Sequence, residues 1–213
     1  MPVRYDRVFF FGDSITLGCN DNLDLGWPGR LCKGMETTER GIAVYNLGIN
    51  GDTSTNVAAR WYDEYIVRSR ESKGLIVFAF GFNDASRKDG AGPQVDLNIS
   101  VETAKSILIQ ARELSEVLWI GPTPLDETVN PMQSNEGSWV MLNDDIAAYD
   151  RAYANLADEA EINYLPLHKL YQSSQRYQSA LKQGDKVHPA DDGYAMIAES
   201  VANWKAWKNI FTN

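Results

Sequence analysis

An α/β protein built on a parallel sheet is the fold this sequence predicts, on three observations. Short β-branched or aromatic runs recur along the chain, longer helical patterns separate them, and the alternation persists from one end to the other. At 213 residues the chain has the size of one domain, and its 44% hydrophobic and 11% aromatic content is enough to fill a core. No repeat, low-complexity tract or Pro/Gly/Ser linker divides it, so residues 1–213 are read as one domain.

The first strand is expected at Arg7–Phe11, where Val8 precedes three phenylalanines. A helix near Trp27–Glu36 leads to the second strand, Ala43–Leu47. Thr55–Arg70 is long enough to cross over to a parallel neighbour, Leu75–Phe80. Val101–Leu114 and Asp144–Glu161 are the next crossover helices, ahead of strands Val117–Gly121 and Asn163–Leu167. The second of these helices carries Ile146, Tyr149, Tyr153 and Leu156 on one face, yet ends in Asp158, Glu159 and Glu161, where the helix dipole disfavours negative charge. The last helix begins at about Asp192 and places Tyr194, Ile197, Ala198, Val201 and Trp204 at offsets of three and four, a stripe made to dock on the sheet. Asp84–Ser100 and Pro122–Leu142 break the alternation and are expected as loops too long to be mere connectors.

Charge narrows the function. Lys and Arg total 20 against 29 Asp and Glu, a formal charge of −9, the wrong sign for holding a phosphate backbone. Nucleic acid is therefore not an expected partner. No run approaches the ~18 apolar residues of a membrane helix, and the apolar stretch after MPVRYDR is too short for a secretory signal, so a cytoplasmic chain is expected. Cys19 and Cys32 fit neither a CxxC redox pair nor a zinc knuckle and are expected as buried, reduced thiols. Nothing in the pattern points to a partner protein or fixes an oligomeric state.

Open parallel sheets bind ligands beyond the carboxyl ends of their strands. The residues at those ends are informative here. Gly12-Asp13-Ser14-Ile15-Thr16 follows the first strand and presents a hydroxyl after a small residue. Gly48, Asn50 and Gly51 follow the second, where glycines can expose a backbone N–H. Gly81-Phe82-Asn83-Asp84 follows the third and offers a side-chain amide. Near the end, Asp185-Lys186-Val187-His188 places a carboxylate three residues before an imidazole.

Together these segments hold each part of an acyl-transfer site. A serine hydroxyl needs an imidazole to take its proton, and the chain has only two histidines. His188 has Asp185 in the same turn to hold its ring; His168 has no such neighbour and is expected at a strand end or helix start, bonded to backbone. Ser14 is thus the candidate nucleophile, with His188 and Asp185 as base and orienter. The Ser14 N–H, the Gly51 N–H and the Asn83 amide are candidate donors to the oxygen that turns negative.

With those residues in view, the sequence resembles the GDSL esterase/lipase family, the SGNH hydrolases, from about Val8 to Tyr194. Ser14 in FFFGDSIT, Gly51 in NLGINGDTS, Asn83 in GFND and His188 in DKVHP match its four blocks, with Asp185 three residues before the histidine. Ile15 stands where the family name has leucine, another apolar anchor. The resemblance implies a three-layer α/β/α sandwich on a flavodoxin-like sheet, of five parallel strands on the count above. It also implies hydrolysis of esters or thioesters without a metal or other cofactor, the partners being a small-molecule ester and water. Thr16 occupies the second glycine position of a Gly-x-Ser-x-Gly elbow, so the α/β-hydrolase fold is not expected.

The two long loops follow the third and fourth strands and are expected to wall the substrate pocket, with Leu125, Pro131, Met132 and Trp139 as apolar lining. Neither has the pattern of a large amphipathic lid, which favours a small soluble ester over a triglyceride. Sugar O-deacetylation and acyl-thioester or lysophospholipid hydrolysis are alternatives on the same site. In other classes stand a flavodoxin-like nucleotide-binding module and a catalytically silent interaction domain. The first is disfavoured because neither Gly-x-x-x-x-Gly-Lys-Ser/Thr nor Gly-x-Gly-x-x-Gly occurs. The second is disfavoured because no reactive residue is missing.

Overall fold

The computed structural model describes residues 5–35, 41–70, 72–135 and 137–211. The chain enters on β1 (Arg7–Gly12), turns through helices α1 (Ser14–Leu17) and α2 (Gly26–Leu31), and adds β2 (Ala43–Gly48) beside β1. Helix α3 (Ser54–Ser69) crosses back to β3 (Leu75–Ala79), which is followed by the short α4 (Phe82–Ala85) and β4 (Arg87–Lys88). Then come α5 (Leu97–Leu114), β5 (Val117–Ile120), the short strands β6 (Met132–Ser134) and β7 (Gly137–Val140), α6 (Asn143–Glu159) and β8 (Asn163–Leu165). Helices α7 (Leu167–Tyr171), α8 (Gln175–Gln183), α9 (Asp191–Asn203) and α10 (Lys205–Phe211) complete the described chain.

The main sheet has five parallel strands in the order β2-β1-β3-β5-β8. The chain moves outward from β1 to β2 and then returns across β1 to β3. The order therefore reverses between β1 and β3, the point at which sheets of this kind open a crevice beyond their carboxyl ends.

Side chains alternate across a strand, and β1 sorts its aromatics accordingly. Phe9 and Phe11 join Ile76, Phe78 and Trp119 against Trp61 and Tyr65 of α3, Leu108 of α5 and Tyr153 of α6. Val8 and Phe10 join Val77, Leu118 and Ile120 against Trp27 of α2, Tyr194 and Ile197 of α9 and Trp207 of α10. Phe10 meets Trp27 edge-on at 5.1 Å, and Trp119 lies 4.7 Å from Tyr153. Both faces of the sheet are thus covered, giving the three-layer sandwich. Each large apolar side chain buried is worth about 1.5–3 kcal/mol.

The two segments expected as loops carry structure of their own. Arg87 and Lys88 pair antiparallel with Val140 and Trp139 of β7, and β6 pairs with β7 as a hairpin, so a three-stranded sheet β4-β7-β6 stands beside the main one. Strands of two to four residues are too short to show alternation, which is why the sequence hides them. Helix α5 starts at Leu97 inside the first of these segments, where the Asp96 carboxylate accepts from the Asn98 N–H at 2.9 Å. Helices α7, α8 and α10 were also not legible. The apolar positions of α8 are only Tyr177, Ala180 and Leu181 among polar residues, and Leu167, expected on a strand, begins α7 after Pro166.

Smaller expectations shift as well. The helix near Trp27 runs only from Gly26 to Leu31, and its expected end at Glu36 lies outside the described residues, as do Met1–Arg4. Trp204 ends the stripe as the residue that caps α9. The acidic end of α6 is met by Arg112, whose guanidinium donates to the Ala160 carbonyl and brings a positive charge to the last turn. Cys32 is buried as expected but Cys19 is only half-buried.

Candidate active site

Three strand ends and one late turn converge at the crevice. Ser14 opens α1 directly after β1, its hydroxyl held in a tight turn in which the Asp13 carboxylate accepts from the Ile15 N–H at 3.0 Å. Gly51 lies in the turn after β2, where Asp52 N–H donates to the Ile49 carbonyl and Gly51 adopts φ 81°. That torsion is disfavoured for any residue with a Cβ. Helix α3 starts immediately afterwards, fixed by a capping box in which the Thr53 N–H donates to Asn56 Oδ1 at 3.0 Å. Asn83 sits on α4 after β3, and its Nδ2–H donates to the Asp52 carbonyl at 3.0 Å.

The imidazole of His188 reaches the crevice from a segment far along the chain. Between α8 and α9, the Asp185 carboxylate accepts from the backbone N–H groups of Val187 at 3.0 Å and His188 at 2.7 Å, which folds the segment into a turn. Gly184 is required there: a Cβ on it would lie 2.1 Å from the His188 carbonyl oxygen. The second Asp185 oxygen lies 2.8 Å from His188 Nδ1, and His188 Nε2 lies 2.8 Å from Ser14 Oγ. With Nδ1–H donating to the carboxylate, Nε2 is free to accept from the Ser14 hydroxyl. This is the arrangement in which a hydroxyl gives up its proton as it attacks an electrophilic carbon.

Burial sets the charges around this relay. Burial raises Asp185, but its hydrogen bond to His188, the charge of that ring and the two backbone N–H bonds outweigh it and hold the carboxyl at about 2. Asp13 is fully enclosed, and burial pushes it up to about 7 against the opposing pull of the Ile15 N–H and His188. Burial likewise raises Asp84, although Ser100 and Ser54 hydroxyls and the Ser54 N–H bond it. The one carboxylate facing the imidazole is therefore the one held firmly ionised.

Around Ser14 and His188 opens a groove of about 380 Å³, lined by Gly51, Asn83, Ser86, Gln94, Met132 and Trp139 among others. Among the described residues, no acceptor takes the N–H of Ser14 or of Gly51. Asn83 retains a second amide hydrogen beyond the one given to Asp52. Ser14, Gly51, Asn83 and His188 are thus brought to one groove, with Asp185 behind His188. Of the expected apolar lining, Met132 and Trp139 face the groove as parts of β6 and β7. Leu125 does not, being 1% exposed in the core, and neither does Pro131, which is exposed outside it. Asn50, noted after the second strand, also lines the groove, as do Ser86, Gln94, Ser134 and Asn135, which escaped the sequence reading because most of them depend on where β4, β6 and β7 pair.

His168 is buried on α7, where burial lowers its pKa, and its Nε2 has no hydrogen-bond partner. The backbone bond expected of it is not made at that atom. No group of His, Cys, Asp and Glu among the described residues forms a metal cluster, and no described helix is long and apolar enough to cross a membrane.

A family profile described as GDSL-like Lipase/Acylhydrolase matches residues 10–196. No curated protein sequence matches. Among solved structures, an acetylxylan esterase from Geobacillus stearothermophilus, in a catalytic-mutant form, superposes with TM-score 0.68 at 20% identity, over 94% of each chain. A lipase/acylhydrolase from Enterococcus faecalis gives 0.66 at 21% identity, over 92% of this chain and 93% of that one. A protein called TesA gives 0.69 at 23% identity, over 96% and 99%. At these identities the superpositions speak for the fold.

Proposed function

Because the chain belongs to the GDSL-like lipase/acylhydrolase family and is an ester-cleaving hydrolase, we propose that it cleaves small carboxylic esters through an acyl-enzyme on Ser14. The observation that carries this reading is the relay Asp185–His188–Ser14, with 2.8 Å at each step, opening on a groove where two backbone N–H groups await an acceptor. The reading takes residues 1–213 as one catalytic domain. The nucleotide-binding alternative gives way to the family match.

The ester carbonyl sits between Ser14 Oγ and the donors. As Oγ attacks, its proton passes to His188 Nε2, and Asp185 steadies the imidazolium that forms. The negative oxygen is held by the N–H groups of Ser14 and Gly51 and the free amide hydrogen of Asn83. His188 then protonates the leaving alcohol, and the ester C–O bond breaks. A water, deprotonated by the same ring, attacks the acyl-enzyme and releases the acid. Removing one donor of this kind costs ~100 to 1000-fold in turnover. Asn83→Ala is therefore expected to lower kcat by about that factor, measured by steady-state hydrolysis of p-nitrophenyl acetate, and a kcat within about twofold of the parent would remove Asn83 from the role.

A second reading, sugar O-deacetylation, is favoured by the groove itself. Trp139 offers a flat face, and Asn50, Gln94 and Asn135 offer amides beside the hydroxyls of Ser86 and Ser134, a set suited to the hydroxyls and apolar faces of a sugar ring. A panel of p-nitrophenyl esters from C2 to C12, acetylated oligosaccharides, acyl-CoA and lysophospholipid tests both. The expected result is a kcat/KM maximum at C2–C4, falling at least about tenfold by C8, because ~380 Å³ lies at the small end of ligand sites. A higher value on acetylated sugars than on any aryl ester selects the second reading. A maximum at C12, acyl-CoA or lysophospholipid overturns both.

A further inference from the structure

We propose that Arg60 is a positioning residue for the oxyanion donors, an inference that rests on the acyl-enzyme reading above. Arg60 lies on α3, outside the groove, yet its guanidinium bridges two of the segments that build the site. Its Nε–H donates to Asp52 Oδ2 at 2.7 Å and its Nη2–H to the Gly12 carbonyl at 3.1 Å. The Arg60 and Asp52 side chains are only 16% and 12% exposed, so the pair is largely shielded from water and salt.

Each end of this bridge leads to a donor. Gly12 is two residues before Ser14, and its carbonyl also accepts from the Ile49 N–H at 3.0 Å, which anchors the start of the Gly51 turn. Asp52 ends that turn, and its carbonyl is the acceptor that orients the Asn83 amide. Gly51 is therefore suspended between two anchors, Ile49 on Gly12 and Asp52 on Arg60, while Asn83 hangs from the second. A planar guanidinium can hold both acceptors at fixed separation, whereas an ammonium is a point charge that serves one geometry less well. The third arm, Nη1–H to Glu64 Oε1 at 3.1 Å one turn along α3, keeps the fork from swinging away. Without the guanidinium, Asp52 and the backbone on either side of it are free to drift, and the N–H of Gly51 and the amide of Asn83 drift with them.

Since Arg60 touches no substrate, its loss should act on turnover and not on ground-state binding. The experiment compares Arg60→Ala, Arg60→Lys, Ser14→Ala and Arg68→Met, the last removing an arginine about two turns further along α3 whose side chain, among the described residues, bonds only Glu64. Active sites are counted by the final extent of labelling with a fluorophosphonate, and kcat and KM for p-nitrophenyl acetate are expressed per labelled site. Arg60→Ala is expected to lose about 10 to 100-fold in kcat with KM within about threefold, and to slow phosphonylation by a similar factor, because that reaction draws on the same donors. Arg60→Lys is expected between the two, Arg68→Met at the parent value, and added guanidinium ion is expected to restore part of the Arg60→Ala rate. A parent-like kcat per labelled site in Arg60→Ala overturns the proposal, as does an activity loss accounted for wholly by fewer labelled sites. If Arg60→Ala does not fold, the same criterion is applied to Arg60→Lys. Turnover retained by Ser14→Ala overturns the acyl-enzyme reading itself, and this one with it.

Discussion

Ser14→Ala and His188→Ala are each expected to lose roughly a million-fold in kcat, and the double variant no more than either alone. The reason lies in the 2.8 Å contact between Ser14 Oγ and His188 Nε2. A neutral hydroxyl attacks a carbonyl poorly, and the imidazole raises its reactivity only by taking the proton during attack. On the proposed mechanism, removing the hydroxyl leaves no acyl-enzyme to form, and removing the ring leaves the hydroxyl inert. On that mechanism the two residues act as one unit, so their losses are not expected to add. The donors of Ser14 N–H, Gly51 and Asn83 remain in both variants, and a residual rate of ~1000 to 10000-fold over water is expected from them. Steady-state hydrolysis of p-nitrophenyl acetate against a carefully measured background checks this. Losses that multiply in the double variant would mean that the two side chains serve separate steps.

Asp185→Asn is expected to cost about 10⁴ in kcat. Asparagine can preserve the turn, because its carbonyl oxygen can still accept from the Val187 and His188 N–H groups as Asp185 Oδ1 does. What changes is the group facing the ring. Asp185 Oδ2 accepts from Nδ1–H at 2.8 Å, whereas an amide nitrogen in its place donates, which favours the tautomer carrying its proton on Nε2. That nitrogen then points a hydrogen at Ser14 Oγ and cannot accept from it. The carboxyl is held at about 2, below its unfolded value of 3.8, so its stabilising contribution is complete above pH ~3.8 and lost only as pH falls towards 2. The acid limb of the wild-type pH–rate profile is accordingly expected not to arise from Asp185. An Asp185→Asn variant within about tenfold of the parent kcat at neutral pH would show that the ring is held by something else.

The large elements were legible because they obey strong periodicities. β1 is a run of apolar residues buried on both faces, and α5 and α6 carry continuous stripes, so strand and helix are distinguishable by length and spacing alone. The residues placed around Ser14 were legible for a different reason: each lies just past a strand, or, for His188, beside the one carboxylate in its turn. What was not legible is the groove wall. β4, β6 and β7 have two, three and four residues, and their pairing is a tertiary fact with no local signature. Leu125 and Pro131 looked like lining because they occupy the same segment as Met132 and Trp139, but proximity in sequence does not say which residues the hairpin turns inward. Arg60 was silent too, since a single arginine on a helix reads as an exposed charge until its partners are known.

The hydroxyl and the ring nitrogen that meets it are 174 residues apart in sequence. During synthesis the serine and the strand ends around it emerge long before the segment carrying the imidazole, so in the nascent polypeptide the hydroxyl lacks that partner until the segment is made and docked. Closing so long a loop carries a large entropic cost. Turnover is therefore expected to return on refolding only once the segment carrying the imidazole has docked.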